Sequence, residues 1–128
     1  MHDAPSPVSI LHEGSYLVVS INAALDDTQM MRFRRELANA IGDQRARGVL
    51  IDVAALDVLD SFGARTIRDI AEMARLRGST AVVVGIQPNL ALAMVHLGID
   101  TGAIPTALDL EDGLAAVQPA RPSGEEEP

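Results

Sequence analysis

Apolar residues in this chain alternate between runs that suit strands and stripes that suit helices. Val8-Ser9-Ile10-Leu11 reads as a first strand, His12-Glu13-Gly14-Ser15 as a turn, and Tyr16-Leu17-Val18-Val19-Ser20-Ile21 as a second strand, so a hairpin opens the domain. Asp26-Asp27-Thr28 supplies a cap and first-turn acid for a helix with Met30, Phe33, Leu37 and Ile41 on one face. That helix is expected to end through Arg45-Ala46-Arg47-Gly48, where basic residues and a glycine suit a C-terminus. Val49-Leu50-Ile51-Asp52-Val53 and Thr80-Ala81-Val82-Val83-Val84-Gly85 are short apolar runs, as expected of strands covered on both faces. Between them Ile67, Ile70, Ala71 and Ala74 recur at i, i+3, i+4 and i+7, a helix with one buried face that stops near Arg77-Gly78. Gln87-Pro88-Asn89 starts a third helix, with Leu90, Met94 and Leu97 on one stripe and Gly98-Ile99 as a glycine cap with its hydrophobic clasp. A weak strand falls at Ile104-Pro105-Thr106-Ala107 and a last short helix over residues 109–117. A hairpin followed by alternating helix and strand predicts an α/β domain: a mixed, mostly parallel sheet of four to five strands with four helices and right-handed crossovers. Residues 1–7 read as a flexible leader, 8–117 as one domain, and 118–128 as a disordered acidic tail.

The stretch Val58-Leu59-Asp60-Ser61-Phe62-Gly63-Ala64-Arg65 is where a buried strand gives way to the second helix. Asp60 and Ser61 fall at the helix start, and both residue types make good N-caps. A serine there lies among free backbone N–H donors at the positive end of the helix dipole. The position can hold a cap, bind an anion or accept a phosphoryl group, and the sequence alone does not choose among them. Phe62 reads as core or as a partner anchor. Gly63 costs a helix about 0.5–1 kcal/mol relative to alanine, while its bare backbone allows another protein to approach closely.

Composition narrows the function. With 128 residues and 48% hydrophobic content there is material for one domain. One Tyr, two Phe and no Trp require an aliphatic core. The absence of cysteine removes disulfides, thiolate catalysis and cysteine-type zinc sites. The formal charge of −8 argues against nucleic acid and against an anionic membrane surface, although Glu125, Glu126 and Glu127 in the tail contribute part of it. No apolar run approaches the roughly 20 residues that span a bilayer, and a cytoplasmic protein is the expectation.

No catalytic constellation emerges, and no cofactor is called for. His2, His12 and His96 are isolated, so no histidine-based metal site is expected. The glycines match neither a dinucleotide-binding loop nor a phosphate-binding loop. Asp52, Asp57 and Asp60 cluster near a strand end, where they can hold a metal or cap turns; turn capping is favoured. The third helix is apolar almost all round through Leu90-Ala91-Leu92-Ala93-Met94-Val95, which suits either deep burial or a partner.

The order of elements, with an Asp-Ser pair before the second helix, resembles the STAS domain of anti-sigma-factor antagonists and stressosome scaffold proteins. Three segments resemble the RsbS-type stressosome antagonists in particular: Gly48-Val49-Leu50-Ile51-Asp52 through Leu56-Asp57-Val58-Leu59-Asp60-Ser61-Phe62, then Val82-Val83-Val84-Gly85-Ile86-Gln87-Pro88, and Thr106-Ala107-Leu108-Asp109-Leu110-Glu111-Asp112-Gly113-Leu114. The resemblance implies a non-enzymatic, self-associating protein that sequesters a serine/threonine switch kinase (RsbT-like) and releases it when Ser61 is phosphorylated. It also implies sensor paralogues (RsbR-like) in a large complex, a cognate phosphatase, and a minimal scaffold role for this chain. Asp57, Asp60, Phe62, Gly63 and Arg65 are then the candidate kinase contacts. A phosphate would add about −1.5 to −2 charges to an edge that Asp57 and Asp60 already make acidic, and Arg65, one turn on, is spaced to pair with it. Two rival readings share the fold: a free anti-sigma-factor antagonist, and an accessory STAS subunit of a membrane transporter.

Overall fold

The structure, a computed structural model, describes residues 7–56, 61–98 and 105–117, with Gln44, Ser61 and Phe62 described by backbone alone. Asp57, Asp60, His2, Ile99 and Ile104, together with leader residues 1–6 and the tail 118–128, lie outside the described residues.

The hairpin forms from β1 (Val8–Glu13) and β2 (Tyr16–Ile21), paired antiparallel from Val8↔Ile21 to Glu13↔Tyr16. It is tighter than the sequence predicts, because His12 and Glu13 join the ladder and only Gly14-Ser15 turns. Gly14 has φ 63° and Ser15 no positive φ, the pattern of a type II′ turn, and a glycine at the first loop position supplies it without strain. Helix α1 (Asp27–Gln44) opens with a capping box: the Gln29 N–H donates to Asp26 Oδ1 at 2.7 Å, and the Asp26 N–H donates to Gln29 Oε1 at 2.9 Å. Its expected stripe of Met30, Phe33, Leu37 and Ile41 is fully buried.

Gly48 departs from expectation. The α1 C-cap is Arg45, in the left-handed region at φ 50°, and Gly48 instead begins β3 (Gly48–Asp52). A left-handed cap favours glycine and a crowded strand position demands it, so the residue type alone could not separate them. Helix α2 (Ser61–Leu76) buries Ala64, Ile67, Ile70, Ala71 and Ala74. It is followed by β4 (Thr80–Val84), α3 (Pro88–His96), β5 (Thr106–Ala107) and α4 (Leu110–Val117). The strand order is β1-β2-β3-β4-β5, with β2 to β5 mutually parallel, so the mixed sheet of five strands and four helices is as predicted.

Alternate residues of the central strands face opposite layers. Leu17, Val19, Val49, Ile51 and Val83 join α1, α2 and α3 in the main core. Leu50, Val82 and Val84 face the other way and meet Val117 of α4, with Tyr16, Val18, Ala107 and Leu114 packed around them. The apolar runs of β3 and β4 follow from this double coverage. Helix α3 is buried on one side only: Leu90 and Met94 are buried, whereas Leu92 is 57% and Val95 68% exposed. Leu97, expected on the buried stripe, is 41% exposed because it forms the C-cap, where the helical period ends. No helix among the described residues is long and apolar enough to cross a membrane.

Helix α4 lies against the sheet through Gly113. A Cβ there would stand 2.8 Å from Val84 Cγ2 and 2.9 Å from Leu50 Cδ2, both fully buried. In an open helix, glycine to alanine gains about 0.8–1 kcal/mol; forcing a methyl into a packed layer costs typically 1–3 kcal/mol. Gly113→Ala is therefore expected to lower the urea midpoint despite its better helix propensity. An increase would show that α4 can lift off the sheet without loss.

Candidate functional site

Strands β3, β4 and β5 all end at one edge of the sheet, and three connections converge there. The loop after β3 carries the chain to Ser61, the first residue of α2. The loop after β4 leads into α3, and the one after β5 into α4. An edge of this kind, where parallel strands deliver successive helices, is where α/β folds place their working surface.

The loop leaving β3 is held tightly over its described part. Asp52 Oδ1 accepts from the Ala54 N–H at 2.9 Å, so this carboxylate caps a turn, as favoured from the sequence. The Val53 N–H donates to the Val84 carbonyl at 3.0 Å, and the Leu56 N–H to the Val53 carbonyl at 2.9 Å. Gln87 Nε2 reaches across from the next loop and donates to the Ala54 carbonyl at 2.7 Å. Gln87 thus precedes α3 without capping it, its side chain being committed to Ala54. Beneath this contact Gly85 adopts φ 77°, and a Cβ on it would come within 2.9 Å of Ala54 Cβ. Both the backbone angle and the close approach require glycine.

Around this scaffold the surface is shallow and mixed in character. One cleft of about 460 Å³ is lined by Ala54, Ala55, Gln87, Pro88 and Asn89. A neighbouring one of about 410 Å³ runs past Asp52 and Gly85 to Leu108 and Leu110. Leu108 is 85% and Leu110 39% exposed, and Asp109, Glu111 and Asp112 surround them. Asp109 caps α4, its Oδ1 accepting from the Asp112 N–H at 2.9 Å. Two exposed leucines thus sit inside an acidic rim. Among the described residues no group of three His, Asp or Glu side chains is placed to hold a metal ion.

Of the predicted site residues, Ser61 opens α2, Arg65 is exposed one turn on, and Gly63 is buried. Gly63 therefore lies under this surface and not on it. Asp57 and Asp60, and the side chain of Phe62, lie outside the described residues. Thr66 is only 5% exposed, which keeps its hydroxyl from a kinase while the helix is intact. His12 and His96 are exposed. Sequence reasoning missed Leu108 and Leu110 as surface residues, since neither drew a reading of its own from the pattern. It also missed the Gln87–Ala54 bond, for which no short-range signal exists.

The family model described as STAS domain matches residues 7–113. The chain belongs to the STAS-domain family. Within it, a serine-to-glutamate variant of RsbS from Moorella thermoacetica is 36% identical, with a TM-score of 0.78 over 88% of this chain and 95% of that one. A chain from the structure described as the molecular architecture of the stressosome, a signal integration and transduction hub, is also 36% identical, with a TM-score of 0.76 over 85% of this chain and 95% of that one. The RsbT co-antagonist protein RsbRA of Bacillus subtilis is 31% identical over 97 residues, 76% of this chain. This STAS chain spans 35% of the length of that relative.

Gly85→Ala is expected to destabilise the protein by about 2 kcal/mol, from left-handed backbone strain and overlap with Ala54. Because the overlap is with the Ala54 methyl, Ala54→Gly in the same chain should recover part of the loss. A double-mutant cycle in urea measures that coupling, and strict additivity would show that the two loops do not rely on their contact.

Proposed function

We propose that this chain is a non-catalytic stressosome antagonist and scaffold. In its unphosphorylated form it sequesters an RsbT-like serine/threonine kinase on the sheet edge around Ser61. Phosphorylation of Ser61 releases the kinase, a phosphatase resets the serine, and RsbR-like paralogues complete a large cytoplasmic assembly. The observation that carries this reading is the 36% identity to RsbS over 95% of that chain, joined to a serine at the first position of α2. A relative named for its co-antagonism of RsbT supports the choice of kinase.

The physical account follows from the edge itself. A helix N-terminus tolerates a dianion, because unpaired N–H groups and the dipole both favour it. A partner seated on Leu108 and Leu110 does not, since phosphate adds repulsion and a desolvation cost to a rim that already holds Asp109, Glu111 and Asp112. Exposed Arg65 is positioned to take up part of the new charge. The modification thus opposes the interface more than it opposes the fold.

Intact-mass spectrometry after incubation with ATP and an RsbT-like kinase tests the switch. One added phosphate on the wild type and none on Ser61→Ala is the expected result; equal incorporation in both, or none in either, would overturn Ser61. Size-exclusion of the chain mixed with an RsbR-like paralogue tests the scaffold. A large co-assembly is expected, and separate elution would favour a free anti-sigma-factor antagonist.

A further inference from the structure

Strand β1 is the outermost strand of the sheet, and its free side carries backbone groups that the hairpin does not use. The Asn22 N–H donates to the Pro7 carbonyl at 2.7 Å, which sets the phase of the ladder. Bonded and non-bonded residue pairs alternate in an antiparallel ladder, so Ser9–Ser20, Leu11–Val18 and Glu13–Tyr16 exchange the bonds of the hairpin. Ile10 and His12 therefore turn their N–H and C=O groups away from β2. Val8, on the same side, is already engaged. Nothing in the strand shields this edge: Val8–Glu13 contains no proline, no lysine and no bulge, and its one acid, Glu13, comes last. The other outer strand, β5, is only two residues long.

The side chains add an apolar contact. Leu11 shares a sheet face with Val18, its partner across the ladder, and with Tyr16, both of which pack toward the α4 layer. Helix α4 itself lies over β3, β4 and β5, and Leu11 is 57% exposed. Charge decides what can cover it. The other exposed leucines at a strand end, Leu108 and Leu110, sit among Asp109, Glu111 and Asp112, so a symmetric contact there brings carboxylates together. Two β1 strands paired antiparallel about an axis at Leu11 avoid this. Glu13 then faces Ser9 of the second copy, Ile10 faces His12, and Leu11 faces Leu11. Each Ile10–His12 pair exchanges both of its backbone bonds, and the two leucines form a non-bonded pair with Cα atoms about 4.5 Å apart, the closest cross-strand approach. An axis at Ile10 would call on Val8, which is engaged, and an axis at His12 would set Leu11 against Glu13.

We propose that two copies of this chain join through their β1 edges, merging two five-stranded sheets into one, with Leu11 packed on Leu11 across the two-fold axis. The pair is the smallest unit of the scaffold, and for that role the inference rests on the proposed function. It uses the side of the sheet and not the strand ends at Ser61.

Sedimentation equilibrium of the full-length chain reads the contact. The wild type is expected to be a dimer. Leu11→Lys and Leu11→Glu are each expected to be monomers with unchanged far-UV circular dichroism, and an equimolar mixture of the two a dimer again, because lysine then faces glutamate. The chain has no cysteine, so Leu11→Cys is expected to give a disulfide-linked dimer under mild oxidation, at a separation a disulfide spans, whereas Val95→Cys on the exposed side of α3 is not. A monomeric wild type would overturn the proposal, including one that assembles only with an RsbR-like paralogue, which would assign the edge to that paralogue. So would a dimer that both charged variants leave intact, or a mixture of them that stays monomeric. Phosphate incorporation at Ser61 is measured separately on the Leu11→Lys monomer, so failure of the kinase switch and failure of the dimer are told apart.

Discussion

The contact on which the Ser61 edge depends is the approach of Gly85 to Ala54. Two loops leaving adjacent parallel strands come so close there that one of them can carry no side chain. The approach brings Gln87 within 2.7 Å of the Ala54 carbonyl and accompanies the bond from the Val53 N–H to Val84. Asp52 completes the arrangement by capping the turn at Ala54. The result is a ledge over residues 52–56, tied to the β4–α3 connection by backbone and polar side-chain hydrogen bonds. A modification at the start of α2 thus acts on a surface whose support comes from the sheet.

That separation of support from surface gives the proposed switch its logic. The aliphatic core holds α1, α2 and α3 on one face, while α4 closes on the other through Gly113 and Val117. None of this packing involves Leu108 or Arg65, which are exposed. Charge can therefore change at the edge without disturbing the layers beneath it. The two poles of the molecule also differ in sign: carboxylates surround the Ser61 edge, and Arg45, Arg47 and Arg77 line a cleft at the opposite ends of the strands. A polarised domain of this kind orients its partners before contact.

How much of this the sequence disclosed depends on which signal was being read. The stripes of α1 and α2 and the apolar runs of β3 and β4 were legible because burial imposes a period on the residues themselves. Gly48 was not, since a helix cap favours glycine and a crowded strand position demands it, and only the fold, with Arg45 at the cap and Val117 against Gly48, distinguishes them. Leu97 broke its stripe because the period stops at the cap. Leu108 drew no reading of its own from the sequence, since it falls between the weak strand and the last helix, and its exposure follows from β5 ending at Ala107. Ser61 was legible as a helix start from residue chemistry, and its role as a switch rested on resemblance alone. The Gln87–Ala54 bond joins positions 33 apart, beyond the reach of any local pattern.

The central claim is that phosphate on Ser61 breaks a kinase interface and spares the fold. The most direct measurement compares amide spectra and kinase affinity for the unphosphorylated and phosphorylated chain. The account expects shifts confined to the β3–α2, β4–α3 and β5–α4 connections and the first turn of α2, together with at least a tenfold loss of affinity, about 1.4 kcal/mol. Shifts spread through the core, or unchanged kinase affinity with Ser61 fully phosphorylated, would contradict it.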